Sequence, residues 1–597
     1  VLIHAENFQA VSMLLARYRK QIQTVYIDPP YNTVHSKIAY KNQFEHASWL
    51  SLIQNTLEIV PLLWTSDFTF GVAIDDYESV RLGMLLRDAF PSLDHATIVV
   101  NHHPQGSGGR LSRTHEYYHL VSRPDSPNYL GRPIPDDSED RSFMRSGTAE
   151  NNYRFGRPNS FYALLYDPKR RRIVGTEPPP DKDDHAYPRG PTPEGYQRIY
   201  PINSRGEERV WRSAYETGTA RVRKGELFVS DQGAVKQRIN HESRREILFS
   251  NWVGAEFNAG THGTTVLDDL GLGGRFDYPK SVKAMELALW TQSFGHTDAI
   301  VLDYFGGSGT TAHAVINLNR ADDGAGNRRF IVVEMGSYFS SVLKPRITKV
   351  LYSPEWKAGK AQVHGKGMSA LVKYFTLESY EDALNNLPAP TGELLANADP
   401  ATKDALITYA LDLELGPRLL DLDVFRDPWG YWINAQPAGE EEIRPHRVDL
   451  VETFNYLIGL KVKAYGPIER YTAEFERAEH PDGLGRLKVR GRLRRDKQGA
   501  FVFQRVEGEL NDGNDTRVLV IWRKLTDDPE QDAAVLEAWM QRHREDTRQR
   551  SEHRDYQLIY INGPVTLPQP TQGDRVFQPI EETFKDRMFA DSEVTDG

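Results

Sequence analysis

The sequence predicts an α/β protein built on a doubly wound parallel sheet, interrupted by an inserted domain and followed by a mixed α/β extension. Apolar strand-like runs alternate with helical periodicity over about the first 120 residues, which is typical of parallel βαβ units. The alternation stops in a segment rich in Pro, Gly, Arg and Asp at 124–250, and it returns near residue 280. At 597 residues the chain is also too long for one core, so we expect about four units of roughly 150 residues.

The pattern of elements divides the chain into four regions. Regions 1–123 and 251–365 are predicted to form two halves of one sheet, 124–250 the insertion and 366–597 the extension. The sheet regions predict strands at 2–4, 24–27, 69–74, 299–304 and 330–334, and helices at 8–15, 47–65, 77–90, 281–293 and 311–319. Beyond them we expect a strand at 160–166, a helix at 380–386, a strand and turn at 420–434, β structure to 525, and a βαβ unit over 517–522, 528–544 and 556–561.

Composition excludes several classes of chemistry. The chain contains no cysteine, which excludes disulfides, cysteine zinc sites, iron–sulfur clusters and thiolate catalysis, including methylation of a cytosine ring carbon. Its net charge of -10 means that any binding to nucleic acid must use local basic patches.

The termini and hydropathy bear on location. No stretch approaches 18 uninterrupted apolar residues and no signal peptide is visible, so we expect a cytoplasmic protein without a membrane partner. The chain begins with Val1 on a strand-like run, and a missing leader and a non-standard start codon both stay open as explanations.

A glycine-rich segment between a predicted strand and a predicted helix is the first candidate binding site. It reads Asp303-Tyr-Phe305-Gly306-Gly307-Ser308-Gly309-Thr310. Glycines let a ligand approach the backbone closely, and the N–H groups at a helix start point toward it. The Lys of a phosphate-binding P-loop is missing, which disfavours hydrolysis of nucleoside triphosphates. Glu334 ends the next strand, where an acid can accept hydrogen bonds from ribose hydroxyls, so an adenosine-containing cofactor is favoured over a turn without a ligand.

The second candidate is the loop Asp28-Pro29-Pro30-Tyr31, which also ends an apolar strand. It suits an amino group with two N–H bonds, because the Asp28 carboxylate can accept one bond, the Pro29 carbonyl the other, and Tyr31 can stack on a flat base. The alternative is a turn that only ends the strand. If 299–304 is the central strand and 24–27 its neighbour, both loops open into one crevice, and the functional interpretation depends on that convergence.

Together the two loops resemble those of the amino-methylating DNA methyltransferases, in the permuted (β) order in which the catalytic motif precedes the cofactor motif. The chain is similar to the modification (Mod) subunits of Type III restriction systems and their stand-alone relatives, over about residues 1–350. The similar segments are 4–7, 28–33, 114–117, 259–264, 276–280 and 303–319. Members usually have a longer segment before His4 and an Asp where Glu6 stands.

The resemblance implies a sheet that binds S-adenosylmethionine and carries an inserted target-recognition domain. It implies methyl transfer to N6 of a flipped adenine without a metal, in a restriction-modification or phage-defence system. The implied catalytic residues are Asp28, Pro29, Pro30 and Tyr31, and the implied cofactor-binding residues are Asp303, Phe305, Gly306, Gly307, Ser308, Gly309, Thr310, Glu334, Lys280 and Asn7.

Two alternative functions and several partners follow from the same resemblance. Methylation of the cytosine N4 amine is the nearest alternative, although Asp rather than Ser before the two prolines favours adenine. The other alternative is a non-catalytic DNA-specificity subunit for a helicase-nuclease partner. Double-stranded DNA is the implied partner, and a helicase-nuclease restriction subunit and a second copy of this chain are further candidates.

Three basic or histidine-containing segments have competing interpretations. Residues 154–172 contain a cluster that is either a phosphate contact or a solvated loop: Arg154, Arg157, Lys169, Arg170, Arg171 and Arg172. Residues 486–494 place five cations at a period of two, either for DNA or to protect a strand edge. The string His115-Glu116-Tyr-Tyr-His119 matches a zinc-protease motif, but that motif requires a helix and this segment is predicted as a strand.

Overall fold

The computed structural model describes residues 1–32, 46–104, 106, 111–127, 129, 131, 140–238, 247–322, 324–379, 382, 386, 422–436, 442–478, 485–510, 515–549, 556–564 and 576–588. These residues divide into two compact units. The first contains Val1–Tyr129 and Phe249–Gly597, and the second contains Leu130–Leu248. Among all the residues that the structure describes, no helix has the length and apolar character needed to cross a membrane.

The N-terminal segment alternates strands and helices, as the sequence predicts. Its elements are β1 (Leu2–His4), α1 (Asn7–Tyr18), β2 (Ile22–Ile27), α2 (His46–Ile59), β3 (Trp64–Ile74), α3 (Ser79–Ala89), β4 (Asp94–Val100) and β5 (Glu116–Ser122). Glu6 caps α1, because its carboxylate accepts the N–H of Gln9 at 3.0 Å. The helix predicted over 47–65 ends early, since Pro61 lies in a 3₁₀ turn, Val60–Leu63, that leads into β3.

The segment after residue 249 supplies the rest of the main sheet. Its elements are β12 (Asn251–Trp252), α5 (Thr265–Asp269), α6 (Val282–Gln292), β13 (Ile300–Asp303), α7 (Thr310–Ala321), β14 (Arg329–Glu334), α8 (Lys344–Tyr352), β15 (Trp356–Lys357), β16 (Lys360–Ala361) and β17 (Tyr374–Thr376). Single π-helical turns, Gly260–Thr264 and Phe339–Leu343, lead into α5 and α8.

Nine strands form the main sheet in the order β12-β4-β5-β3-β2-β13-β14-β1-β17. The prediction that the strand at 299–304 is central and adjoins the strand at 24–27 is confirmed, because β13 pairs in parallel with both β2 and β14. Strand β5 is antiparallel to β3 and β4. The predicted boundary at 365 is wrong for the sheet, since β17 lies beyond it and pairs in parallel with β1.

Helices cover both faces of this sheet. Leu2 and Val332 belong to one buried cluster, whereas their chain neighbours Ile3 and Val333 belong to another. Alternate residues of a strand point to opposite faces, so the two clusters lie on opposite sides of the sheet. The doubly wound arrangement follows, with apolar residues buried on each face.

Among its described residues, the second unit contains two three-stranded sheets and one α-helix. Its elements are β6 (Arg141–Ser142), β7 (Ala163–Asp167), β8 (Arg172–Glu177), β9 (Gln197–Ile199), α4 (Tyr215–Arg223), β10 (Leu227–Val229) and β11 (Val235–Gln237). The sheets have the orders β10-β11-β6 and β8-β7-β9. Its core includes Phe143, Tyr162 and Trp211, so this unit has an apolar interior of its own. The strand predicted at 160–166 starts later, after a 3₁₀ turn at Pro158–Ser160.

The C-terminal region has a second large sheet. Its elements are β18 (Trp432–Ala435), β19 (Arg444–Arg447), α9 (Leu450–Leu457), β20 (Leu460–Tyr465), β21 (Glu469–Thr472), β22 (Phe475–Ala478), β23 (Arg486–Val489), β24 (Arg494–Arg495), β25 (Phe501–Leu510), β26 (Arg517–Arg523), α10 (Pro529–Gln549), β27 (Leu558–Ile561), β28 (Val576–Pro579) and α11 (Ile580–Met588). The predicted βαβ unit is confirmed, because β26 and β27 pair in parallel and α10 lies between them in the chain.

Other expectations for this region are either corrected by the structure or lie outside the described residues. The helix predicted at 380–386 falls mostly outside the described residues, as do 420 and 421. The expected strand at 420–434 starts only at Trp432, after a 3₁₀ turn at Leu422–Arg426. The prediction of five cations on one strand face is wrong, because Gly491 has a φ of +74° and separates β23 from β24.

The C-terminal core predicts a measurable stability effect at Phe454. This ring is fully buried and lies 5.1 Å from the ring centroid of Tyr560 and 5.8 Å from that of Trp522. We expect Phe454→Ala to lower the free energy of unfolding by about 3–5 kcal/mol, measured by urea denaturation, because it leaves a cavity. Ile468→Ala, at a side chain that is 51% exposed, is the control and should cost about 0.5 kcal/mol or less. Equal effects of the two variants would contradict the assignment of Phe454 to the core.

Candidate active site

A cavity of about 860 Å³ lies where β2, β3, β13 and β14 end. Residues that follow these strands line it, among them Asp28, Asp75, Asp303 and Glu334. Because β2, β13 and β14 are parallel neighbours, their carboxyl ends meet at one edge of the sheet. The two loops that the sequence predicts to converge therefore do line one cavity.

The Asp-Pro-Pro-Tyr loop is held in place by neighbouring helices. The indole N–H of Trp49 on α2 donates to the Pro30 carbonyl at 2.8 Å. Asn32 adopts a left-handed φ of +59° and donates to the buried carboxylate of Glu78 at 2.8 Å. His46 lies 2.6 Å from the same carboxylate oxygen. These contacts fix the turn in which the two prolines already restrict the backbone.

Lys280 links the side chains of this loop to β5. Its ammonium lies 3.4 Å from a carboxylate oxygen of Asp28 and donates to Glu116 at 2.5 Å. It also donates to the Tyr31 hydroxyl, which in turn donates to Glu116 at 2.9 Å. The ammonium lies 4.4 Å from the centroid of the Tyr31 ring. One cation therefore contacts both carboxylates and the ring that the sequence assigns to base stacking.

The charges in this cluster set different pKa values for the two acids. Burial raises the pKa of Asp28, Lys280 opposes that rise, and the neighbouring charge of Glu116 adds to it. Burial also acts to raise the pKa of Glu116, but Lys280 and His102 outweigh it and hold this pKa at about 2. Glu116 thus stays anionic at neutral pH, while Asp28 is the acid whose protonation responds to its surroundings.

On the opposite wall, two carboxylates organise the glycine-rich turn. Asp303 accepts the N–H of Phe305 at 3.0 Å and the hydroxyl of Thr311 at 2.5 Å. Burial raises the pKa of Asp303 to about 7, although these hydrogen bonds favour the anion. Glu334 accepts the N–H groups of Gly307 at 2.8 Å and Gly336 at 2.7 Å. The backbone contacts orient the Glu334 carboxylate, which also lines the cavity.

Close packing requires glycine in this turn. A Cβ atom on Gly306 would lie only 2.2 Å from the Cγ1 atom of Val332. Gly309 has a φ of +83° and immediately precedes α7. The turn therefore approaches β14 more closely than any larger residue would allow, and the start of α7 faces the same side of the sheet as the cavity.

A buried arginine donates hydrogen bonds to side chains of the glycine-rich turn. Arg346 on α8 is completely buried, and its guanidinium donates to the hydroxyls of Ser308 at 2.8 Å and Thr310 at 3.0 Å. Burial lowers the pKa of Arg346 to about 9. The sequence analysis missed Arg346, because only the fold brings α8 beneath a turn that lies almost 40 residues earlier.

Some predicted cofactor residues occupy other positions. Asn7 opens α1, is 7% exposed and is not among the residues that line the cavity, so the structure does not support its predicted cofactor contact. Gly309 shapes the turn without lining the cavity. Lys280 does line it, but its ammonium is engaged by Asp28 and Glu116. Glu116 itself was missed as a site residue, since the sequence analysis considered it only within the zinc-like string.

The zinc-like string lies on a strand, as predicted. His119 sits in β5, and its ring nitrogens contact the hydroxyls of Ser79 at 2.9 Å and Thr97 at 3.2 Å. Within the ranges described above, no group of histidines and carboxylates is arranged to hold a metal ion. The contacts of His119 are those of a residue that packs β5 against α3 and β4.

The basic cluster predicted in the insertion is only partly available to a ligand. Arg154 is 4% exposed, donates to Glu208 at 3.1 Å and to the carbonyls of Asp181 and Asp184, and its predicted phosphate contact is therefore withdrawn. Arg171 is exposed but lies 2.9 Å from Asp231. The remaining members of the predicted cluster are exposed: Arg157, Lys169, Arg170 and Arg172.

Comparison with known proteins decides the family. The model of a family described as DNA methylase, the N6/N4 methyltransferases, matches residues 22–344, which is more than half of the chain. The chain belongs to this DNA methylase family. Membership confirms the predicted enzyme class, a DNA methyltransferase that uses S-adenosylmethionine.

Relatives of this DNA methylase confirm the resemblance to Mod subunits. This chain is 29% identical over 327 residues to the Type II methyltransferase M.KpnI of Klebsiella pneumoniae, and the alignment covers 53% of this chain and 75% of the relative. It is 25% identical over 387 residues to the Type III restriction-modification enzyme EcoPI Mod subunit of Escherichia phage P1, covering 56% of this chain and 57% of the relative. The solved M1.HpyAVI–SAM complex aligns with 58% of this chain and 98% of its own, at 12% identity and a TM-score of 0.28.

The glycine turn predicts an effect on cofactor binding. Gly306→Ala places a methyl group against Val332 and the carbonyl of Val333, so the turn must shift. We expect about a 5- to 150-fold loss of S-adenosylmethionine affinity by isothermal titration, since a shift of this kind costs of order 1–3 kcal/mol. Gly190→Ala is the control, because nothing lies within 4 Å of a Cβ atom there. Unchanged affinity in Gly306→Ala would exclude the turn as a cofactor contact.

The charges around Asp28 predict that two substitutions shift the acid limb of the pH profile in opposite directions. The acid limb is the fall in methyl-transfer activity toward low pH. The sequence assigns Asp28 as the acceptor of amino hydrogens, and an ionised carboxylate accepts an N–H bond more strongly than the protonated acid, so we expect methyl transfer to fall as the pH drops through its pKa. Lys280→Met removes the charge that lowers this pKa and should move the acid limb to higher pH. Glu116→Gln removes a charge that raises it and should move the limb to lower pH.

The measurement is the pH dependence of kcat/KM for methyl transfer to DNA. Asp75→Asn is the control, because Asp75 lines the same cavity with a pKa raised to about 6 by burial, and it would set the limb if Asp28 did not. Shifts of the same sign in the Lys280 and Glu116 variants would contradict the electrostatic assignment.

Proposed function

We propose that this DNA methylase transfers a methyl group from S-adenosylmethionine to the N6 amino group of adenine at specific sites in double-stranded DNA, in a restriction-modification or phage-defence system. The observation that carries the proposal is the shared cavity, with Asp28 and the diproline turn on one wall and the glycine turn with Glu334 on the other. An acceptor of amino hydrogens thus faces a turn suited to an adenosine group across one space.

The wall formed by β13 and β14 fits the cofactor. The Glu334 carboxylate, oriented by two backbone N–H groups, is suited to accept ribose hydroxyls. Gly306 and Gly307 line the same cavity, and the absence of a side chain on Gly306 lets the turn pack closely against Val332. When bound there, S-adenosylmethionine supplies an electrophilic methyl group on a sulfonium.

The opposite wall fits the adenine amine. This amine is a weak nucleophile, because its lone pair is delocalised into the ring. Asp28 and the Pro29 carbonyl would accept its two N–H bonds, which favours a tetrahedral nitrogen with its lone pair directed across the cavity. Once the new N–C bond forms, the nitrogen must lose one proton, and the Asp28 carboxylate at the end of that N–H bond is placed to take it.

Arrival of the base requires Lys280 to move. Its ammonium contacts Asp28 and covers the Tyr31 ring, which are the two groups that a flipped adenine would use. Glu116, 2.5 Å away and anionic, can retain the ammonium after it leaves Asp28. The base costs a few kcal/mol to unstack from the duplex, and stacking on Tyr31 would offset part of that cost.

The adenine preference and the roles of the other regions are part of the proposal. Asp28 rather than Ser before the prolines favours adenine over cytosine N4. The second unit, Leu130–Leu248, would serve as the target-recognition domain, and the region after 366 would dock a partner such as a helicase-nuclease restriction subunit or a second copy of the chain. Similarity to the Type III Mod subunit supports these roles, although this chain spans just over half of that relative.

The decisive experiment combines one substitution with product analysis. Asp28→Ala should abolish transfer of radiolabelled methyl groups to DNA and retain S-adenosylmethionine binding by isothermal titration, because Asp28 lies on the acceptor wall. Wild-type turnover in this variant would overturn its assigned role. Nucleoside analysis of the wild-type product should show N6-methyladenine; N4-methylcytosine would establish the alternative acceptor, and no transfer at all would favour a non-catalytic specificity subunit.

A further inference from the structure

The second unit differs in charge from the rest of the chain. Within 130–248 there are 22 Lys and Arg residues against 18 Asp and Glu residues, a net charge of +4. The whole chain carries -10, so the remaining residues carry -14. An excess of positive charge confined to one compact unit is the electrostatic pattern expected for contact with a polyanion.

Four arginines of this unit are brought together by two antiparallel segments. The N–H of Arg145 donates to the Val210 carbonyl at 3.0 Å, and the N–H of Arg212 donates to the Phe143 carbonyl at 2.9 Å. The Arg212 guanidinium also donates to the carbonyl of Ser142, next to Arg141. Arg157 and Arg141 are close enough to Arg145 that, together with burial, their charges lower its pKa. We call Arg141, Arg145, Arg157 and Arg212 the arginine surface.

Among the residues that the structure describes, no carboxylate forms an ion pair with the arginine surface. The ion pairs found among the described residues of this unit engage other arginines, such as Arg154 with Glu208 and Arg198 with Glu177, and none includes a member of the surface. The Nε atom of Arg145 is buried without a hydrogen-bond partner. Like charges held together with an unpaired buried donor cost free energy in the free protein. A bound anion would offset that cost.

An exposed aromatic stack lies next to these cations in the chain. Phe155 is 61% exposed, and its ring stacks on Tyr153 at 5.5 Å between centroids and 14° between planes. The guanidinium of Arg209 lies 4.1 Å from the Tyr153 ring centroid. Arg209 and Phe155 thus both contact the Tyr153 ring, and the exposed Phe155 lies two residues before Arg157. Flat apolar rings beside unpaired cations match the bases and phosphates of a nucleic acid.

We propose that the arginine surface binds phosphates of duplex DNA and that Phe155 stacks against a deoxyribose ring of the same duplex. This inference rests on the proposed function, and its arginine surface shares only Arg157 with the basic cluster that the sequence predicts. Arg154, the central member of that cluster, is instead a structural residue that ties Glu208 to the loop 181–184.

The test is the salt dependence of DNA affinity in the full chain. Wild-type protein and the double variant Arg141→Gln/Arg157→Gln are titrated against a fluorescent duplex between 50 and 200 mM salt. Removal of one arginine that binds a phosphate should reduce the slope of log affinity against log salt by about 0.9, so the double variant should have a slope smaller by about 1.8. The matched control, Arg205→Gln/Arg223→Gln, changes two exposed arginines of the same unit outside the surface and should keep the wild-type slope. An unchanged slope in the first variant, or an equal reduction in the control, would overturn the proposal.

Two further variants separate the parts of the proposal. Phe155→Ala should weaken duplex binding by roughly fivefold or more while leaving the salt slope unchanged, because stacking releases no counterions. Arg170→Gln/Arg172→Gln tests the sequence-predicted cluster, and a reduced slope there in place of the first variant would also overturn the proposal. A circular dichroism spectrum and a thermal unfolding midpoint equal to those of wild type show that each variant is folded. Since binding is measured without methyl transfer, a wild-type protein that binds DNA through this surface but transfers no methyl group would refute the proposed function alone.

Discussion

The parallel pairing of β13 with β2 is the constraint on which the site depends. Val301 lies opposite Thr24 and Leu302 opposite Val25, so the loops that follow these strands emerge side by side although about 275 residues separate them in the chain. No local property of either loop would place an acceptor of amino hydrogens across from a nucleoside-binding turn. Burial of apolar residues on both faces of the sheet fixes this register, because a slip of one residue would turn each buried side chain to the opposite face.

Electrostatic coupling gives the two walls of the cavity different characters. On the acceptor wall a single ammonium is shared by Asp28, Glu116 and Tyr31, so a change at one group alters the charge of the others. On the cofactor wall the carboxylates are held mainly by backbone N–H groups and a hydroxyl. Fixed dipoles of this kind suit a bound ligand that keeps one position, whereas a shared mobile cation suits a wall that must accept and release a base.

The sequence predicts the sheet and its two loops well, because their signals are local. Apolar runs ending in Asp28 or Asp303 identify strands and their carboxyl ends, and the glycines identify a close approach that the Cβ contact of Gly306 explains. Glu116, Trp49 and Arg346 could not be found in this way. Each contacts site residues that are distant from it in the sequence. Each is also of a residue type that is common in ordinary cores or on ordinary surfaces. The basic cluster is corrected at Arg154 for a related reason: composition counts charges, but only tertiary structure shows that Glu208 neutralises Arg154, whereas Arg145 has no ion-pair partner among the described residues.

Strand β17 has a consequence for how the enzyme can be divided. It comes from beyond the stretch shared with the DNA methylase family, yet Leu2 donates to the Lys373 carbonyl at 2.9 Å and Leu377 to the His4 carbonyl at 3.1 Å. A protein that keeps its N-terminus but ends at residue 344, where the shared stretch ends, would leave β1 with a free row of amide and carbonyl groups, the kind of edge that recruits strands from other molecules. Expression of the catalytic region by itself should therefore extend past residue 377, or it risks self-association that has nothing to do with its chemistry.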